Sequence, residues 1–269
     1  MALIGGGAMG EALVRGVLAK GLYAAGEILI SDPLESRRDY LASEFGIAVT
    51  ANNRACTAAS HVLLAVKPNQ MADVLDPLRD AWRPGTLVTS ILAGKTLADL
   101  GAHLPEGAAI VRVMPNTPSL LGEGMAALTA NGATSAEQKA RAVRLFEAVG
   151  EVAELPESYF DIVTGLSGSG PAYVFLMIEA LIEAGVYNGL PRRVARQLVL
   201  QTVIGASRMV KETGMHPAEL KEQVTSPGGT TAAGLQVLEA AALRSILIQA
   251  VKAATDRSSA LSGDLKPVR

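Results

Sequence analysis

Gly5, Gly7 and Gly10 stand in the spacing G-x-G-x-x-G, directly after a short apolar run and directly before an amphipathic stretch. In that setting each glycine has a separate job. The first permits a tight turn, the second lets a diphosphate approach the backbone, and the third lets a helix pack closely on a strand. The helix starting there, with Ala8 and Met9 in its first turn, offers unpaired N–H groups and the positive end of its dipole to an anion. The chemistry implied is dinucleotide binding; a merely flexible glycine-rich terminus is the weaker alternative, because the strand–turn–helix context argues against it.

A second cluster, Ser226, Pro227, Gly228, Gly229, Thr230 and Thr231, lies between two helical patterns. Its glycines allow unusual backbone angles, its threonines can cap the following helix, and consecutive free N–H groups there can hold a carboxylate. A plain helix–helix turn with an N-cap fits the composition equally well.

Other polar residues are less specific. Asp32 ends the second predicted strand, near where a carboxylate accepts hydrogen bonds from an adenosine ribose, which favours NAD. Arg37 and Arg38 follow and suit a 2′-phosphate, which favours NADP. The alternative is that Asp32 caps a turn with Pro33 and the arginines are solvated. Ala65, Val66, Lys67 and Pro68 close the third predicted strand at the sheet edge where ligands of open α/β folds bind, although a lysine leaving a buried strand commonly just reaches water. His61, His103 and His216 are scattered, without zinc spacing or a Ser-His-Asp order, and read as packing or surface residues; no metal site is expected.

The elements that must position these residues follow from the hydrophobic pattern. Up to residue 156, apolar runs at 2–4, 27–31, 62–66, 86–91, 109–113 and, more weakly, 125–129 and 152–155 alternate with amphipathic segments at 10–20, 35–45, 70–80, 96–104 and 135–149. That is the α/β order of a Rossmann-type, doubly wound sheet, expected as a dinucleotide-binding domain over residues 1–156. Beyond it the strand signal stops. Helical patterns at 173–186, 191–213, 217–224, 231–241 and 243–259 predict an all-helical domain over residues 157–269, with a polar, loose tail from Ser258. Several of these helices are apolar on more than one face, which predicts a homo-oligomer.

Composition excludes several classes. A formal net charge of -2 with no basic run argues against nucleic acid and anionic membranes as partners. Charged residues interrupt the apolar stretches before the ~20 residues a bilayer span needs. The N-terminus lacks a basic leader, and Cys56 is the single cysteine, so a cytoplasmic protein without disulfides is expected.

The segment LKEQVTSPGGTTAAGLQVLE, residues 220–239, closely resembles the signature of pyrroline-5-carboxylate reductases. AVKP at 65–68, ILAG at 91–94, RVMPNTP at 112–118 and TGLSGSGPAY at 164–173 occur in the order that family shows, so the likeness covers nearly the whole chain. The resemblance implies a Rossmann domain, a helical domain that dimerises by interleaving, and an active site shared between subunits. It implies that NADP or NAD, in reduced form, passes hydride to Δ1-pyrroline-5-carboxylate, a small cyclic imino acid, to make proline. Carried over motif by motif, Gly5, Gly7, Ala8, Met9 and Gly10 would hold the pyrophosphate. Asn52 or Asn53 would lie near the adenosine ribose, and residues 65–68 with Ala93 would line the nicotinamide side. Gly228 to Thr231 would hold the substrate carboxylate, with the Thr231 hydroxyl on the ring nitrogen. Ala8 stands where the family usually has asparagine, and Gly10 where alanine is frequent; neither change removes backbone donors.

A cyclic imine is already electrophilic, more so when protonated, so orientation rather than a strong acid–base pair is the main demand. Two competing readings are a 6-phosphogluconate-like or 2-hydroxyacid dehydrogenase, which needs a catalytic lysine, and a non-catalytic dinucleotide-binding protein. Lys211, Lys221 and Lys252 are available for the first, but none lies in a glycine-rich motif.

Overall fold

The computed structural model describes residues 1–261. Eight strands, β1 (Ala2–Ile4), β2 (Leu29–Ser31), β3 (Ala48–Thr50), β4 (His61–Leu64), β5 (Leu87–Ser90), β6 (Ala109–Met114), β7 (Gly124–Ala130) and β8 (Gly150–Glu154), form one sheet in the order β3-β2-β1-β4-β5-β6-β7-β8. The order runs one way through β1, β2 and β3 and the other way from β4 on, which is the predicted doubly wound arrangement with its switch point between β1 and β4.

Side-chain alternation explains the layers. Ala2, Ile4, Val62, Leu64 and Val88 join one core, while Leu3, Leu63 and Leu87 join the other. Of the first helices, α1 (Ala8–Ala19), α2 (Glu35–Phe45) and α5 (Ala136–Glu147) add Val14, Leu41 and Phe146 to the Leu3 face; α3 (Met71–Leu75) and α4 (Leu97–His103) add Leu75 and Leu100 to the Ile4 face. A strand covered on both faces needs apolar residues at successive positions, which is why β1 and β4 read as unbroken apolar runs.

Three local departures have physical causes. β3, absent from the predicted strands, is a three-residue edge strand held by parallel pairing to β2. The predicted helix at 70–80 is α3 flanked by 3-10 turns Pro68–Gln70 and Asp76–Leu78, because Pro77 has no N–H to continue the ladder. β7 runs antiparallel to β6. Its link to β6 contains only the 3-10 turn Thr117–Leu121, and a parallel return needs a crossover of about a dozen residues or more.

The remaining helices are α6 (Phe160–Val163), α7 (Gly170–Tyr187), α8 (Arg192–Thr213), α9 (Pro217–Gln223), α10 (Thr230–Ala240) and α11 (Leu243–Leu261), with a π-turn at Thr164–Gly168. The chain divides into two compact units, Met1–Ser169 together with the chain from Ala253, and Gly170–Lys252. The division expected after residue 156 thus falls inside the first unit, because α6 and the π-turn are tied to the end of β6. The Asn116 amide donates to the Ser167 carbonyl (3.1 Å), and the Arg112 guanidinium lies 4.6 Å over the Phe160 ring.

The tail expected to be loose from Ser258 is instead pinned at its start. Ser258 is buried, and the hydroxyls of Ser258 and Ser259 donate to the two oxygens of Asp161 at 2.7 and 2.8 Å. Residues 262–269 of that expected tail lie outside the described residues.

Taken by itself, the second unit is α7 through the first half of α11, with α8 packed back against α7. Among its described residues only Ala195 is buried, whereas Phe175, Leu176, Leu181, Ile204, Val237 and Ile248 are all at least half exposed. The continuous helical run Glu157–Tyr187 is long and apolar enough to cross a membrane by length and composition. So much uncovered apolar surface on one unit marks an association surface.

Candidate functional site

The glycine turn gives Gly5 and Gly10 the steric roles their spacing predicts. Gly5 has φ +103°, and a Cβ there would lie 2.6 Å from the Ala65 carbonyl oxygen, so the turn passes directly against the end of β4. At Gly10 a Cβ would meet the Gly5 carbonyl oxygen at 2.8 Å, which sets the close approach of α1 to β1. At Gly7 a Cβ would meet nothing within 4 Å, leaving the outer side of the turn open to a ligand. Gly7 is also the N-cap of α1 and makes no side-chain cap, so the first-turn N–H groups, those of Ala8 and Met9 among them, have no helical acceptor. This cradle fits a pyrophosphate.

Charged residues brace the turn from behind. Arg37 donates from Nε to the Gly6 carbonyl and from Nη2 to the Gly7 carbonyl, and Nη2 also pairs with Glu11 at 2.6 Å. Burial works against the charge on Glu11, but hydrogen bonds from Arg37, Tyr40 and Arg15 outweigh it and hold the carboxyl below its ordinary value. The acid in the first turn of α1 therefore holds Arg37, a role the sequence reading missed.

Asp32 turns inward. Its Oδ2 accepts from Gly6 N–H and its Oδ1 from Leu34 N–H, both at 2.9 Å, so the turn-capping alternative describes what the side chain does. Arg38 donates to the carbonyls of Asp32 and Pro33 at 2.8 and 2.9 Å. Beside this turn, Ser31 donates to Asn53 Oδ1 (2.6 Å), and the exposed Asn52 caps the following 3-10 helix through Arg54 N–H.

Past the ends of β4 and β5 lies a cleft of about 530 Å³ within the first unit, lined by Pro68, Ala93, Lys95, Thr164, Ser169 and Arg257 among others. It brings together Pro68 and Ala93, two residues expected on the nicotinamide side; Ala65 and Val66 sit half-buried just before it, and Lys67 is exposed. Thr164, Ser169 and Arg257 were not anticipated as lining residues. The signal for Thr164 and Ser169 was the TGLSGSGPAY motif, whose π-turn geometry no simple periodicity announces; Arg257, in α11, had none.

The Ser226–Thr231 cluster belongs to the second unit. Gly228 has φ +67°, which favours glycine, and a Cβ on Gly229 would displace the Ser226 hydroxyl, so the turn is built tightly around both. Gly229 itself is the N-cap of α10 and offers no side chain. The threonines, expected as possible caps, are instead the first two residues inside the helix, because the extended Gly229 backbone places the cap before them. The N–H groups of Thr230 and Thr231 consequently have no helical acceptor, and Thr231 is half-buried.

Elsewhere, His61 is buried with Nε2 2.9 Å from the Thr89 hydroxyl, and burial pushes its pKa down to about 3. Burial likewise pushes the Cys56 thiol up to about 11. No group of histidine, cysteine and carboxylate side chains suited to a metal ion occurs among the described residues.

Comparison with known proteins agrees with this geometry. The family profile described as pyrroline-5-carboxylate reductase dimerisation matches residues 157–261, and one described as NADP oxidoreductase coenzyme F420-dependent matches residues 1–94. Pyrroline-5-carboxylate reductases from Synechocystis and from Methanosarcina acetivorans are 49% and 41% identical, covering 97% and 96% of both chains. Among solved structures, the pyrroline-5-carboxylate reductase of Coxiella burnetii superposes with a TM-score of 0.91 at 39% identity, covering 97% of each chain. The Plasmodium falciparum pyrroline carboxylate reductase with NADP bound gives 0.88 at 33% identity, again over 97% of each. With near-complete coverage on both sides, an open glycine turn at the switch point and a family dimerisation region over its apolar helices, the chain belongs to the pyrroline-5-carboxylate reductase family.

Proposed function

We propose that this chain reduces Δ1-pyrroline-5-carboxylate to L-proline with NADPH or NADH. The observation that carries the reading is the open, uncapped turn at Gly7, a cradle for a dinucleotide, in a chain similar over its whole length to reductases of that imine. The dinucleotide supplies the hydride. Gly5, Gly7, Ala8, Met9 and Gly10 hold its pyrophosphate, Asn52 and Asn53 lie by the ribose, and Ala65, Val66, Lys67, Pro68 and Ala93 form the nicotinamide side.

Ser226, Gly228, Gly229, Thr230 and Thr231 form the turn that holds the substrate carboxylate, with the free N–H groups of Thr230 and Thr231 at the start of α10 as donors. The Thr231 hydroxyl hydrogen-bonds the ring nitrogen, orienting the imine and favouring its protonated form. Fixing the reacting carbons in register is the main work, because the C=N carbon is electrophilic without further activation.

The chain forms a homo-oligomer, supported by the dimerisation match and the exposed apolar helices. We place the dimer contact on α7, α8, α10 and α11, so that the apolar run Glu157–Tyr187 meets a partner rather than lipid, with each active site built from two subunits. A cytoplasmic location and no nucleic-acid partner accord with the lone buried cysteine and the small negative net charge.

Mixing the purified chain with pyrroline-5-carboxylate and each reduced cofactor tests the reading. Imine-dependent loss of reduced-nicotinamide absorbance, with proline as product, is expected. Cofactor oxidation that ignores the imine would overturn it.

A further inference from the structure

Asp32 stands where a ribose acceptor is ordinarily sought, yet the residue is only 9% exposed and each of its oxygens accepts a backbone N–H, those of Gly6 and Leu34. The approach is tight. A Cβ on Gly6 would lie 2.7 Å from Leu41 Cδ1 and 3.2 Å from Asp32 Oδ2, so residue 6 sits close against both side chains. Arg38 fixes the main chain of the Asp32 turn through two carbonyls, and Arg37 takes the carbonyls of Gly6 and Gly7 from the other side. Gly6 is thus held at its N–H by Asp32 and at its C=O by Arg37.

We propose that Asp32 is a positioning residue for the pyrophosphate turn and does not set the choice between NADPH and NADH. The proposal rests on the reading that the Gly5–Gly10 turn holds a dinucleotide. A carboxylate that selects against NADP must present a free oxygen and an unshielded charge to the 2′ position. Here each oxygen already accepts a backbone N–H and Asp32 is almost wholly buried, so little of the carboxylate faces the 2′ position, and the guanidiniums of Arg37 and Arg38 brace the same two turns. Gly6 N–H is a buried donor, and losing its acceptor releases the turn that both cofactors share. The group at the 2′ position is the only difference between them, so loss of Asp32 weakens both equally.

The test uses the full-length chain with Asp32→Asn, and with Asp32→Ser, whose hydroxyl still caps Leu34 N–H but cannot reach Gly6. Affinity for NADPH and NADH is measured by nicotinamide fluorescence, KM and kcat with pyrroline-5-carboxylate, and inhibition by inorganic pyrophosphate. We expect KM for both cofactors to rise roughly tenfold, the NADPH to NADH ratio to stay within twofold of the parent, pyrophosphate inhibition to weaken in parallel, and kcat to hold. A fivefold or larger shift of the ratio toward NADPH would make Asp32 the selectivity residue and overturn the proposal. Unchanged affinity for both cofactors would overturn it as well. Failure of the parent protein to bind either dinucleotide would instead bring down the functional reading on which the proposal stands.

Discussion

Glu157 Oε1 accepts one hydrogen bond from Arg112 Nη1 at 2.9 Å and a second from Leu97 N–H at 2.7 Å. One oxygen therefore joins β6, the first turn of α4 and the start of the helical run. The Leu97 contact also fixes the far end of the loop carrying Ala93 and Lys95. The Arg112 side chain is only 6% exposed, so its partner is structurally required. Glu157→Ala should cost about 2–4 kcal/mol, since it strands a buried cation and a helix N–H. Glu157→Gln keeps one acceptor and should cost about half as much. Urea denaturation of the oligomer at fixed protein concentration measures both, and equal losses for the two variants would refute the shared-oxygen account.

Gly5 and Gly7 separate folding from binding. Gly5→Ala puts a methyl group against the Ala65 carbonyl at a positive φ and should destabilise by ~3 kcal/mol or more. Gly7→Ala meets nothing in the protein, so the melting temperature should hold while cofactor KM rises severalfold. Thermal melts beside cofactor titrations check the pair; a Gly7→Ala protein with unchanged KM would remove the turn from the binding site.

The contrast shows what a sequence can announce. The roles of Gly5 and Gly10 were legible because steric demands at a turn act on residue type directly, and β1 and β4 were legible because burial on both faces demands apolar residues throughout. β3 was not, because a three-residue edge strand is held by its neighbour rather than by its own pattern. The same limit applies to Asp32: its residue type fits both a ribose acceptor and a turn cap, and only the position of the Gly6 and Leu34 N–H groups shows the cap. Ser258 read as tail because its partner Asp161 is distant in sequence, and no local pattern links them.

Thr231 is predicted to act on the chemical step. Thr231→Ala should lower kcat by about 10²-fold with cofactor affinity within twofold, while Thr231→Ser, which keeps the hydroxyl, should recover most of the rate. Thr231 starts α10 as its second residue and is not the cap, so the helix should survive both changes. Equal turnover of the alanine variant and the parent would exclude the hydroxyl from the reaction.

Ala242, between α10 and α11, is the one non-glycine residue with positive φ among the described residues, at 56°. An alanine there carries a steric penalty that glycine avoids, so Ala242→Gly should stabilise the chain by about 0.5–1 kcal/mol. A drop in melting temperature would show that the link tolerates alanine without strain.

His61 makes the fold sensitive to acid. Burial, then the charges of Arg141 and the N-terminus, push its pKa from 6.5 to about 3, and its Nδ1 has no hydrogen-bond partner. The unfolded chain therefore takes up this proton first as pH falls. The stabilisation from keeping His61 neutral is complete above pH 6.5 and is lost progressively from there toward pH 3, by up to about 1.4 kcal/mol per pH unit. His61→Gln cannot titrate in this window and keeps a polar group for Thr89. Its stability between pH 6.5 and 4, followed by urea unfolding, should decline less steeply than the parent's, whatever the substitution costs at neutral pH. Parallel profiles for the two proteins would place the acid sensitivity in the carboxylates instead.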